Sequence, residues 1–216
     1  MRPEPLILGF DTSAAHCAAA LLSGDRVLAE RHEDMGRGQA ERLIPLLDEV
    51  LAEAGAGWSD LSRIGVGIGP GNFTGIRISV SAARGLALGL GLPAVGVSLL
   101  DALALGTAGP RLTCLAAPRG QVYVAGHDTA ATIPAQALSL EAVPQDWAAP
   151  GLVCIGSGAE AVAARLGATL TDPELHDAVA IARLAALAPT DRPPAPLYLR
   201  AADAAPSRET GPRMLA

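Results

Sequence analysis

The chain has 216 residues and a formal net charge of −6, which suits one ample domain or two small ones, since domains usually run to roughly 100–200 residues. All 16 basic residues are arginine, because the sequence holds no lysine; that excludes the phosphate-loop lysine, Schiff-base chemistry and Ser-Lys dyads, and disfavours a free-standing nucleic-acid binder. Half the residues are apolar but only 3% are aromatic, so Ala, Leu, Val and Ile must fill the core, and aromatic platforms for stacking RNA bases are disfavoured.

In chain order, three strands are predicted first, over 6–11, 15–22 and 27–32, with Ser23-Gly24-Asp25 as a hairpin turn. Leu43, Leu46, Leu47, Val50, Leu51 and Ala54 recur at the spacing of one helix face, ended by Gly55 and Gly57. Proline is comfortable only in a first turn, so Pro45 implies that this helix begins near 42–44 or bends there. A strand over 63–69 feeds the glycine-rich connection Gly69-Pro70-Gly71-Asn72-Phe73-Thr74-Gly75 and a helix over 76–90. That helix is dense in small residues. Each glycine within a helix costs ~1 kcal/mol relative to alanine, so close packing is the expected compensation. A strand over 93–97 follows, and Ser98 with Asp101 has the spacing of a capping box for a helix from Leu99.

After Gly109-Pro110 the pattern restarts, with strands over 112–117 and 121–126 joined through Pro118-Arg119-Gly120. The domain boundary is therefore placed here: 1–108 is a first domain, 109–202 a smaller second one, and 203–216 a tail expected to be disordered for want of anything to bury. Within the second part, 130–149 has weak periodicity, 152–155 reads as a strand, Gly156-Ser157-Gly158 as a turn, and 160–166 and 177–187 as helices, before the proline-rich stretch 189–196.

Cys17, Cys114 and Cys154 are odd in number and lack a C-x-x-C spacing, which points to a reducing, cytoplasmic compartment. The apolar run 6–10 is too short for a signal peptide, and the longest uncharged stretch, 85–100, falls short of a membrane span. A soluble protein with no membrane contact is expected.

Two segments are candidates for chemistry. Asp11-Thr12-Ser13 ends the first strand and turns sharply, so its carboxylate and hydroxyls either face a phosphate or its metal, or form a polar turn in which Asp11 caps backbone amides. Gly69, Gly71, Asn72 and Thr74 either cradle an anion on converging amides or make a tight strand-to-helix turn with Asn72 or Thr74 as N-cap. The loop is neither a Walker loop nor a dinucleotide fingerprint. His16, His32, His127 and His176 show no paired metal spacing, so no metal site is expected. His16 and Cys17 are neighbours on a strand and point to opposite faces, which argues against a catalytic pair.

Leu8-Gly9-Phe10-Asp11-Thr12-Ser13, Gly69-Pro70-Gly71-Asn72-Phe73-Thr74-Gly75-Ile76-Arg77 and Pro196-Leu197-Tyr198-Leu199-Arg200 together resemble the TsaB family, also called YeaZ. The resemblance spans nearly the whole chain, and the middle motif, continuing through Gly85-Leu86-Ala87 and 93–98, is its specific part. It implies an α/β fold of two actin-like (ribonuclease H-like) domains, each a mixed β-sheet flanked by helices. It also implies a platform subunit in the threonylcarbamoyladenosine modification of tRNA, with TsaD as catalytic partner and TsaE as ATPase. Transfer RNA is then met only through the complex, no cofactor is tightly bound, ATP or ADP sits at most at the partner junction, and the free chain is a candidate homodimer.

Two departures from the catalytic relatives support the absence of catalytic residues. The stretch 36–42 has no histidine where TsaD has a pair, and Ala116-Ala117-Pro118-Arg119-Gly120 has no carboxylate where active members of the superfamily carry an aspartate. The expected partner surface comprises Arg42, Ser79, Ala82, Gly85 and Gly89, with Ile76, Val80, Ala83, Leu86 and Leu90 facing the chain's own sheet. The competing reading is a stand-alone nucleotide-dependent phosphotransferase or ATPase of the same fold; a glycoprotease has neither a nucleophile–base pair nor metal ligands.

Overall fold

A computed structural model describes residues 4–175 and 177–200. His176 and the tail 203–216 lie outside the described residues. Strands β1 (Leu6–Asp11), β2 (His16–Ser23), β3 (Arg26–Asp34), β4 (Leu61–Gly67) and β5 (Ala94–Val97) form one sheet in the order β3-β2-β1-β4-β5. Strands β6 (Arg111–Ala117), β7 (Gln121–His127), β8 (Gln136–Ser139), β9 (Val153–Ile155) and β10 (Thr169–Thr171) form another in the order β10-β9-β6-β7-β8. In each sheet antiparallel hairpin pairing on one side meets parallel pairing on the other. The helices are α1 (Gln39–Glu53), α2 (Phe73–Leu90), α3 (Leu99–Ala104), α4 (Ala159–Leu166) and α5 (Asp177–Leu187). The α/β plan of two mixed sheets flanked by helices matches the fold expected from the resemblance.

The first sheet is covered on both faces, and the alternation of β2 shows how. Cys17, Ala19 and Leu21 join Leu43, Leu46, Leu47 and Val50 of α1 in one cluster, whereas Ala18, Ala20 and Leu22 join Ala178, Val179 and Ala182 of α5 in another. A strand sends alternate side chains to opposite faces, so a strand buried throughout needs a cover on each. The helix over 177–187, grouped by sequence with the second half of the chain, thus returns to the first sheet. Its small face fits there for a steric reason. A Cβ on Gly9 would overlap Ala178 O, and one on Gly65 would lie 2.7 Å from the Ala185 methyl, so the helix approaches the strands only because they carry glycine at these points.

Arg63 on β4 fastens the far end of this helix. Its Nη1 donates to the carbonyls of Ala185, Ala186 (3.0 Å) and Ala188 (2.9 Å). The last carbonyls of a helix have no partner within it and carry the negative end of its dipole. Arg63→Met is expected to cost about 2 kcal/mol, which for a chain of this size lowers the melting temperature by about 4–8 °C. A melting temperature within about 1 °C of wild type would show that the carbonyls are served equally well by water.

Several boundaries differ from the sequence expectation. Helix α1 begins at Gln39, with Pro45 inside it; Pro45 is exposed, so the carbonyl it leaves unpaired can turn to solvent. Strand β4 runs Leu61–Gly67, and α2 begins at Phe73 because Asn72 Oδ1 accepts from Gly75 N (2.9 Å) and caps it. Ser98 Oγ accepts from Leu100 N (3.2 Å), an N-cap without a reciprocal bond from Asp101. The short strands β8 and β10 carry no pattern long enough to be read locally. Among the described residues no helix is long and apolar enough to cross a membrane.

Candidate functional site

A cleft of about 350 Å³ opens beyond the carboxyl ends of the parallel strands of both sheets, the usual place for a ligand in open α/β sheets. Ser13, Gly71, Asn72 and Gln39 line it from the first half of the chain. Leu115, Ala116, Pro118, Tyr123 and Ser157 line it from the second, and Asp177 from the start of α5. Of the candidate phosphate-facing residues, Ser13, Gly71 and Asn72 therefore reach the cleft, while Asp11, Thr12, Gly69 and Thr74 are not part of its lining.

Asp11 is wholly buried. Its Oδ2 accepts from Ser13 N (2.9 Å) and Ser13 Oγ (2.9 Å) and lies 2.9 Å from His16 Nε2. Its Oδ1 has no hydrogen bond and sits over Gly67, where any Cβ would collide with it. The polar-turn reading of 11–13 thus describes these bonds, with His16 as an added partner. Burial works against a charged His16, but the hydrogen bond and the negative charge of Asp11, helped by Asp177 and Asp34, outweigh it and hold the imidazole above its ordinary value. The His32 ring stands 4.8 Å from that of His16. Cys17 points the other way, into the α1 core, where burial pushes its thiol up to about 11. No residue pattern announced the Asp11–His16 pair, because the two meet only when the turn between β1 and β2 closes.

The glycine-rich loop is shaped by the same turn. Thr12 Oγ1 donates to Gly75 O (2.7 Å), and Asn72 N donates to Ser13 O (2.6 Å). A Cβ on Gly75 would overlap Thr12 O, and one on Gly71 would overlap Ser13 O. These two glycines let backbone pass against backbone. Gly69 has φ 94° and supports the turn above the Ile76 side chain. Thr74 is exposed.

These residues do not fit a metal-bound polyphosphate. Among the described residues lining the cleft there is no arginine and one carboxylate, Asp177 at the start of α5; the Asp11 carboxylate is turned inward and paired, and the equivalent turn after β6 offers no carboxylate. Among the described residues no group of three His, Cys, Asp or Glu side chains is placed to hold a metal ion.

The outer face of α2 departs in part from the expected partner surface. Ser79 is wholly buried and donates to Gly67 O (3.1 Å), so it does not reach the surface. Ala82 is half-buried and packs on the first core. Gly85 and Gly89 are exposed with open space where a Cβ would stand, and Leu88 between them is 87% exposed. Leu86 and Leu90, expected to face the sheet, are half-buried and exposed respectively, and Leu86 packs against the first core. Arg42 is half-buried in paired bonds to Glu33 (2.7 and 2.6 Å) and Glu49 (2.7 and 2.6 Å).

Comparison with known proteins gives the site its family. The model of the family described as TsaD, tRNA N6-adenosine threonylcarbamoyltransferase, matches residues 30–144. The tRNA threonylcarbamoyladenosine biosynthesis protein TsaB of Escherichia coli is 33% identical over 126 residues, covering 56% of this chain and 54% of that protein. An uncharacterized protein of Mycobacterium tuberculosis is 32% identical over 202 residues, covering 93% of this chain and 94% of that one. The chain spans about half the length of the curated relatives it first matches, 54% of the E. coli protein and 56% of one from Mycobacterium leprae. YeaZ from Pseudomonas aeruginosa superposes with a TM-score of 0.74 at 28% identity, over 90% of this chain and all of that one. With the family model matching just over half of the chain, relatives named TsaB at 33–38% identity and a solved YeaZ structure that shares the fold over 90% of this chain, the chain belongs to the TsaB family.

Proposed function

We propose that the chain acts in the biosynthesis of threonylcarbamoyladenosine in tRNA as a non-catalytic platform that binds and supports TsaD. The observation that carries the platform reading is the outward face of α2, where Gly85, Leu88 and Gly89 leave an apolar strip open to a second backbone. A large exposed aliphatic between two bare glycines is a poor solution for a free surface and a good one for close helix–helix contact. The chemistry of the cleft supports the same reading, since its residues do not suit a metal nucleotide. In this scheme TsaE joins the assembly and tRNA is met only through it. ATP or ADP sits at the partner junction, the free chain pairs with itself through the face that TsaD later covers, and the three buried free thiols suit the cytoplasm.

Leu88→Arg tests it. Leu88 touches little of its own domain, so at a dilution where neither protein pairs with itself the variant should melt within about 1–2 °C of wild type, while co-purification with TsaD from the same genome should be lost. Failure of the wild-type chain to associate with TsaD, or ATP turnover by the purified chain alone, would overturn the proposal.

A further inference from the structure

Two motifs that the cleft leaves unused meet at the start of α2. Leu197 N donates to Ile68 O (2.8 Å), which lays the chain beside the glycine loop and brings the Tyr198 ring to 4.9 Å from that of Phe73. Arg77, one turn further along α2, completes the group. Its Cζ stands 3.8 Å from the centre of the Phe73 ring, and its Nε donates to the Tyr198 hydroxyl (3.2 Å). All three side chains are exposed, Phe73 at 38% and Tyr198 at 43%. The chain has only two phenylalanines and two tyrosines, so half of them stand in one solvent-facing group rather than in a core.

The group fixes a guanidinium and leaves its working end open. Stacking and the bond from Nε hold Arg77, while Nη1 and Nη2 make no hydrogen bond or ion pair among the described residues. The planar fork of an arginine matches an oxyanion at two points, and a side chain already held loses less freedom on binding. Among the described residues, most acids of the two adjoining helices are already engaged. Helix α2 carries Arg77 and Arg84 and no acid. Of the four acids on the adjacent α1, Glu49 is engaged by Arg42, Glu53 by Arg31, and Asp48 by the Trp58 indole, while Glu41 stands exposed in its first turn. Among the described residues no acid pairs with Arg77, so the fork is open to a carboxylate from a docking partner. A nucleic acid is the poorer source, because a chain of net charge −6 with two cations on this helix cannot track a phosphate backbone.

Building on the docking reading above, we propose that Arg77, held by Phe73 and Tyr198, is a preset two-point fork for the carboxylate of an Asp or Glu side chain on the protein that docks on α2. Tyr198 and Phe73 are positioning residues in this arrangement; Arg77 makes the contact.

Calorimetric titration of TsaD into wild type, Arg77→Met, Arg77→Lys and Tyr198→Phe, at low and high salt, tests the fork. Arg77→Met should weaken the complex about 10–100-fold and flatten its salt dependence. Arg77→Lys should recover little of this, because an ammonium lacks the planar fork. Tyr198→Phe, which keeps the ring and removes only the hydroxyl, should weaken binding about threefold. The free variants should melt within about 2 °C of wild type, and if Arg77→Met does not, Tyr198→Phe carries the test alone. A wild-type complex that Arg77→Met leaves unweakened would overturn the fork but not the platform, whereas no wild-type complex would overturn both. Unchanged affinity for TsaD with weaker tRNA binding by the assembled complex would assign the fork to a phosphate and overturn the carboxylate.

Discussion

Gly75→Ala is expected to destabilise the protein by about 3 kcal/mol or more, lowering the melting temperature by about 6–12 °C. The added methyl would stand inside the van der Waals envelope of Thr12 O. Neither side can retreat freely, because Thr12 Oγ1 donates to Gly75 O (2.7 Å) and Asn72 Oδ1 accepts from Gly75 N (2.9 Å). The same substitution nearly three turns further along α2 should act with the opposite sign. Gly85 has open space around its missing Cβ and a negative φ, so Gly85→Ala should stabilise the free chain by about 0.5–1 kcal/mol through the entropy of the unfolded state. Thermal unfolding of the two variants side by side decides the matter. Equal melting temperatures would mean that the turn after β1 does not pass against the start of α2.

Asp11→Ala is expected to cost about 3–5 kcal/mol, the usual penalty for removing one member of a buried pair. Here it also strips the acceptor from Ser13 N and from the Ser13 hydroxyl. Loss of assembly in that variant would therefore report on folding before it reported on any reacting group, and unfolding curves must accompany it. The histidine side of the pair has a signature in pH. His16 is held above its ordinary value in the folded chain, so its contribution is full below the unfolded value of about 6.5. It is then lost as pH rises through the folded value. Asp34, Asp177 and the His32 ring face the same imidazole and share in the effect. The melting temperatures of wild type and His16→Gln should thus differ most near pH 6 and converge toward pH 9. A difference that widens with pH would mean that His16 is buried neutral.

The platform proposal and the fork both depend on which residues of α2 reach the surface, and periodicity located only part of that face. Ile76, Val80 and Ala83 were placed inward and are buried. Ser79 falls off the apolar stripe and so reads as outward, yet it is buried and its hydroxyl is consumed by Gly67 O. A hydroxyl that can bond a carbonyl of its own sheet is as comfortable inside as out, so polarity alone could not decide. Gly85 and Gly89 were read outward and are open.

By itself the sequence determined most of the strands and helices, the restart of the pattern after Gly109-Pro110, the lack of lysine chemistry and the family. Each of these is carried by composition or by neighbours within a few turns of chain. Only the tertiary structure decided that α5 covers the first sheet, that Asp11 is paired with His16, and that Gly71 and Gly75 are bare so that the backbone of the turn between β1 and β2 can pass. It alone joined Tyr198 to Arg77 across 121 residues. Local periodicity states which face of an element is apolar; it does not state which other face will meet it, because that choice depends on packing between segments far apart in the chain.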